Sequence, residues 1–339
     1  VDTDRGPQAP SAHAPGTPAQ AAFRKRELAL SILGTLIPYF SLFSVPIAGF
    51  FLAVLTPLPT ILSVYRFGPP LGYRTPACAL ALSVPLLFAL GLPSHVGYLL
   101  GLLILGACLA EGMRRRWSVE RTIGWGGMAA FAVFWLIFWA VNDGGSGRFF
   151  ARLDAELQQS IAAALSYYEQ MGMSFDRPSM QRALEHYAPV FVRLLPGAVC
   201  GVTLLLAWVN TLLAKRFCLA HRVPLPQWPP LDRWRAPDVL VWPLIAGGFL
   251  LLTPSTELSL VGGNVIILCG IIYLLQGLAI VVYYCEIWRL PKVLRGLLYA
   301  MLMLQQFATL LLAVVGLFDT WLNFRRLPGP ETPPPREAR

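Results

Sequence analysis

Seven apolar stretches of this 339-residue chain contain no Asp, Glu, Lys or Arg. They cover 28–65, 75–110, 122–142, 194–214, 239–256, 258–285 and 296–318. A helix rises 1.5 Å per residue, so about 20 apolar residues cross a bilayer core of roughly 30 Å. Five of the runs suit one crossing each, and the first two are too long for one. Only 13% of the chain is charged and 56% is apolar, against about 25% charged in an ordinary soluble domain. A disordered chain and a typical cytosolic enzyme are excluded. Strands are excluded as well, because the ten-residue alternation of a barrel strand is absent.

Each long run carries its own break. Ser44-Val45-Pro46 divides the first and Gly91-Leu92-Pro93-Ser94 the second, since proline removes a backbone donor and clashes with the preceding turn. The expectation is an all-α polytopic bundle of nine spans: 28–45, 47–65, 76–92, 96–113, 121–141, 190–214, 238–254, 259–286 and 296–321. With the N-terminus cytoplasmic, 18 of the 27 basic residues fall on the inner side, as cytoplasmic loops require. Arg325 and Arg326 resist this topology, because an odd count puts them outside; eight spans would remove the conflict. The net charge of +9 then belongs to topology and anionic headgroups, not to nucleic acid.

Residues 1–24 and 328–339 are rich in proline and small residues and read as disordered tails, leaving 25–327 as the membrane domain. Residues 1–22 lack the apolar core of a cleavable signal, so the first span serves as an uncleaved anchor. The one sizeable extramembrane piece is 142–189. Within it Phe149, Phe150, Leu153, Leu157, Ile161, Leu165 and Tyr168 recur at helical steps, the pattern of an amphipathic helix. A second short helix, 177–187, is expected before the sixth span. The proline-rich loop 215–237 carries Trp228 and Trp234 as interfacial anchors.

Polar groups inside lipid are costly and turn toward protein or a cavity. At 100° per residue, Gln305, Thr309, Gly316, Asp319 and Asn323 share an arc of about 80° on the last span. Tyr273, Gln276 and Tyr283 share an arc on the eighth, and Thr203 and Asn210 lie two turns apart on the sixth. Such stripes hydrogen-bond between helices or line a pocket for a small molecule or a lipid headgroup. Arg66 snorkels to headgroups or, with Gly68 and Gly72 admitting close backbone approach, meets a ligand. Asp319 lies about 10 Å from Arg326 along a continuous helix, so the pairing expected for it is with another helix. The six cysteines form no C-x-x-C pair and read as small buried hydrophobes. No metal site is indicated, and zincin, nucleophile-elbow and P-loop motifs are missing. No cofactor is expected, and active transport would draw its energy from a partner or an ion gradient.

Several motifs occur in a characteristic order: Pro57-Leu58-Pro59 with Tyr65-Arg66-Phe67-Gly68, Leu206-Ala207-Trp208-Val209-Asn210, Trp234-Arg235-Ala236-Pro237-Asp238, Gln276-Gly277-Leu278-Ala279, and Gly316-Leu317-Phe318-Asp319-Thr320-Trp321-Leu322-Asn323-Phe324-Arg325-Arg326. Together they resemble the YybS-like family of bacterial polytopic membrane proteins, a domain of unknown function, over roughly 25–327. The N-terminal half is loosely similar to substrate-binding subunits of energy-coupling-factor vitamin transporters, through Arg66-Phe67-Gly68-Pro69-Pro70-Leu71-Gly72. The resemblance implies a bacterial inner-membrane protein; the polar stripes and the missing P-loop point to a transporter-like, small-molecule-binding subunit without its own ATPase. Its expected partners are membrane lipids, a small-molecule ligand and membrane or ATPase subunits. The alternative is a non-catalytic membrane scaffold for envelope assembly.

Overall fold

The computed structural model describes residues 18–141, 146–171, 176–226 and 228–327. All regular structure among them is helical. The elements are α1 (Pro18–Ser44), α2 (Pro46–Ala53), α3 (Pro57–Phe67), α4 (Arg74–Ala89), α5 (His95–Arg114), α6 (Val119–Val141), α7 (Ser146–Gln170), α8 (Arg177–Ala220), α9 (Val241–Leu251), α10 (Thr256–Ile287), α11 (Lys292–Leu304) and α12 (Gln306–Leu322). Short 3-10 turns at Leu231–Arg233 and Asp238–Leu240 punctuate the loop between α8 and α9. The chain divides into two compact units, Val1–Glu111 and Gly112–Arg339.

Among the described residues, five helices are long and apolar enough to cross a membrane: Arg24–Ser44, Ala48–Phe67, His95–Arg114, Pro178–Ala220 and Thr256–Ile287. Counting the bent α11–α12 pair as one span makes six. Each of the nine expected segments is helical, but length separates them. The 16 residues of α4 reach about 24 Å and the 11 of α9 about 17 Å, short of a bilayer core. The last segment is not one rod. It breaks at Gln305, whose φ of −97° and ψ of 106° are extended, and its halves meet at 99°. The short helix 177–187 and the sixth span are in fact one 44-residue helix, α8, which runs through Pro189 and Pro196.

In the first unit, the break at Val45 is extended (φ −131°, ψ 104°) and α2 starts on Pro46, where the missing N–H costs nothing. Gly91 ends α4 with φ +73°, a left-handed turn that glycine permits. Helix α1 lies against α2, α3 and α4. Its buried Tyr39 donates from Oη to the carbonyl of His95 at 2.7 Å. The first helix begins at Pro18, within the segment read as a tail; residues 1–17 and 328–339 lie outside the described residues.

In the second unit α10 is the hub, touching α8, α9 and α12. Its seam with α12 is built on two glycines. A Cβ on Gly316 would run into the carbonyl oxygen of Tyr273, and one on Gly277 into that of Leu312. Backbones this close gain dispersion contacts that larger residues would prevent, the usual basis of helix association in lipid. Gly270, on the same helix, faces open space. Gly316→Ala should therefore lower stability by about 1–3 kcal/mol through overpacking, whereas Gly270→Ala should be neutral or mildly stabilising. Denaturation midpoints in detergent check the contrast.

Candidate functional site

The second unit buries an ion pair. Asp319 on α12 is 0% exposed and Arg325 1%. Arg325 Nη2 donates to Asp319 Oδ2 at 2.8 Å. Six residues apart on a straight helix they could not meet. The helix stops at Leu322, and Asn323 takes a left-handed conformation (φ 43°, ψ 56°). The Asn323 side chain holds the turn: its Oδ1 accepts from Leu327 N–H at 3.1 Å and its Nδ2 donates to Leu327 O at 2.9 Å. That reversal brings Arg325 back to the carboxylate. Asp319 thus takes its charged partner from the turn after its own helix, alongside the bond to another helix that the sequence suggested, here Gln276 on α10.

The pair also fastens the loop after α8. Arg325 Nη1 donates to the carbonyls of Asp232 and Trp234, both at 2.8 Å. Gln276 on α10 is fully buried; its Nε2 donates to Asp319 Oδ2 at 3.2 Å, and its Oε1 accepts from Ala236 N–H at 3.1 Å. Arg235 Nη2 reaches the last-turn carbonyls of Asp319 and Thr320 at 3.2 and 3.3 Å, where the helix dipole favours a cation. Both tryptophans of the loop bond to protein, Trp234 buried and Trp228 half-buried. Trp228 Nε1 donates to Trp117 O at 2.8 Å and Trp234 Nε1 to Glu120 Oε1 at 2.9 Å. Lys215 Nζ holds the carbonyls of Trp228 and Pro229. Three of the sequence motifs, around Trp234, Gln276 and Asp319, therefore converge on one buried network.

The remaining stripe residues behave differently. Thr203 Oγ1 donates to Val199 O and Asn210 Nδ2 to Leu206 O, each four residues back on α8. Thr309 Oγ1 donates to Leu302 O and Gln305 O across the break, and Gln305 itself is exposed. Tyr273 is 2% exposed, and its hydroxyl has no hydrogen-bond partner among the described residues. In the first unit, Arg66 Nη1 pairs with Glu27 Oε2 at 3.0 Å. Gly68 ends α3 with φ 64°, and its carbonyl accepts from Gly72 N–H at 2.7 Å. Of the cysteines, four are buried, Cys108 is half-buried and Cys78 exposed, all as free thiols. Among the described residues no group of three or more His, Cys, Asp or Glu is placed to hold a metal ion.

A cavity of about 570 Å³ lies elsewhere in this unit, and it contains none of those residues. Helix α7 contributes Phe150, Ala151 and Asp154; α8 contributes Pro189, Val192 and Arg193; α10 contributes Glu257, Leu260, Val261 and Asn264. The α10 set falls at i, i+3, i+4 and i+7, a single helical face. Asn264 builds the wall by binding two helices together. Its Oδ1 accepts from Gly197 N–H at 2.6 Å, and its Nδ2 donates to Arg193 O at 3.0 Å and Leu260 O at 2.8 Å. A Cβ on Gly197 would lie 2.7 Å from Asn264 O, so only glycine lets the helices close here. Asp154 Oδ1 is buried without a hydrogen-bond partner among the described residues. The volume falls within the range of roughly 300–1,000 Å³ typical of small-molecule sites.

Helices of this length and apolarity, tied by buried polar bonds, define a multi-pass helical membrane protein. The comparison with family models is specific: the model of the family described as "Predicted membrane protein (DUF2232)" matches residues 32–320. The chain belongs to that family. No curated protein and no solved structure matches it.

Breaking a buried pair strands the surviving charge, at about 3–5 kcal/mol, whereas replacing both partners by apolar residues costs far less. Asp319→Leu and Arg325→Met should each destabilise by that order, and the double variant should recover most of the loss. Thermal unfolding of the four proteins in one detergent measures the cycle.

Proposed function

We propose that the protein is a small-molecule-binding membrane subunit, transporter-like and without its own ATPase, whose ligand occupies the cavity between α7, α8 and α10. The carrying observation is that cavity: its volume suits a small ligand, its lining is mixed apolar and charged, and a buried carboxylate oxygen in it lacks a protein partner. The polar stripe on α10 and α12 serves the site indirectly, because Gln276 and Asp319 anchor the hub helix on which Glu257 and Asn264 stand. The likeness to YybS-like proteins and to energy-coupling-factor binding subunits belongs to this proposal, as does a partner subunit that supplies energy. So does the topology: nine crossings in a bacterial inner membrane, with α4, α6, α9 and the bent α11–α12 pair completing the spans and the N-terminus cytoplasmic. The weight of basic residues on one side of that scheme supports the orientation.

Native mass spectrometry of protein purified in mild detergent tests the reading. Ala151 is exposed and lines the cavity, so Ala151→Trp fills the space without disturbing a core. The expected result is a bound small molecule in the wild type and at least a tenfold lower occupancy in the variant. Empty protein in both cases, with a reproducible protein crosslink from α7, would favour a scaffold instead.

A further inference from the structure

The charges around the cavity specify a ligand more narrowly than its volume does. Three ionisable side chains line it: Asp154 from α7, Arg193 from α8 and Glu257 from α10. Among the described residues none of the three side chains forms an ion pair with another. Arg193 enters a described hydrogen bond only through its backbone carbonyl, which accepts from Asn264. Asn264 serves first as a wall, since its amide is engaged by Gly197, Arg193 and Leu260. Recognition falls to two carboxylates and one guanidinium set in an otherwise apolar wall.

That combination suits a doubly charged ligand better than the simpler ones. A plain anion would face two carboxylates, and a plain cation would face Arg193; Asp154 is half-buried and Arg193 and Glu257 are exposed, so solvent screens each repulsion without changing its sign. A molecule carrying both charges meets neither penalty. Arg193 offers a planar fork that fits an oxyanion, while a primary ammonium can donate to both carboxylates at once.

Resting on the cavity as the binding site, we propose that its ligand is a small zwitterion with a primary ammonium held by Asp154 and Glu257 and an oxyanion held by Arg193. Two sources share this chemistry: a free amino acid or phosphoethanolamine, and the headgroup of phosphatidylethanolamine. The exposed apolar side chains Phe191, Val202 and Val261 on the same two helices offer acyl chains a surface along which to lie.

The test uses the full chain in nanodiscs of phosphatidylglycerol, titrated with phosphoethanolamine and with β-alanine, with binding read from the shift in melting temperature. A second set replaces half the lipid by phosphatidylethanolamine and adds no soluble probe. Stabilisation by a soluble zwitterion assigns the free solute; stabilisation by phosphatidylethanolamine alone assigns the headgroup; both support the proposal. Ethanolamine or phosphate alone should bind at least tenfold more weakly than phosphoethanolamine. Asp154→Asn and Arg193→Gln should each weaken zwitterion binding at least tenfold while keeping the wild-type melting temperature in probe-free phosphatidylglycerol, and Arg193→Lys should restore part of the affinity. Ethanolamine binding as tightly as phosphoethanolamine, or unchanged affinity in Arg193→Gln, overturns the zwitterion. If no probe binds, but another molecule found by native mass spectrometry is displaced by Ala151→Trp, the ligand chemistry falls and the binding function stands. If nothing binds in any arm, both fall.

Discussion

The second unit depends on one requirement: a carboxylate and a guanidinium withdrawn from solvent must satisfy each other and leave few bonding sites over. Asp319 and Arg325 meet most of it by drawing in their surroundings, leaving Asp319 Oδ1 and Arg325 Nε without a hydrogen-bond partner among the described residues. The carboxylate accepts from Arg325 and Gln276. The guanidinium takes the carbonyls of Asp232 and Trp234, which sit in a proline-rich loop with almost no regular structure of its own. A loop of that kind cannot satisfy its backbone through a helix. It is held because charged and amide groups on α10 and at the end of α12 accept and donate where a helix would have.

This arrangement bears on the cavity. Helix α10 carries both ends of the argument: Gln276 in the buried network, and Glu257 and Asn264 in the cavity wall. Asn264 precedes Gln276 by twelve residues, about 18 Å of helix axis. The glycine seam with α12 and the Asn264 clamp on α8 fix that axis at two heights. Charged groups that select a ligand need a rigid support, because a site loosened by an ångström loses its geometric advantage. A helix clamped at both heights provides one, and α7 closes the third side.

Much of the fold was legible from residue types. The breaks at Pro46 and Gly91 are local properties of proline and glycine, and both occur where expected. The amphipathic helix ahead of Tyr168 is a matter of period, and α7 is there. Phase along a helix also picked out Gln276 and Asp319, which do meet. The same argument failed at Gln305, since it assumed one continuous helix and the chain bends there by 99°. For Asp319 it found the helix partner, Gln276, but not the charged one. A left-handed Asn323 shortens the path to Arg325 from two helical turns to a hydrogen bond, and six residues of sequence do not announce that turn. Asn264 escaped notice because it stands about 120° out of phase with Gln276 at 100° per residue, on a different face from the stripe being followed.

Composition and periodicity by themselves determined that this chain is a helical membrane protein, because long charge-free runs leave the backbone no solvent but its own helices. They determined as well which residues are too polar to face lipid. Only the tertiary structure decided whom those residues bond. Thr203 and Asn210 turn to their own helix, Gln276 and Asp319 to each other, and Asn264 to a neighbouring backbone. It alone decided, too, that Asp154, Arg193 and Glu257, which lie more than a hundred residues apart at their extremes, share one cavity. Sequence spacing carries the angle of a side chain about its own axis; it carries nothing about which other axis lies alongside.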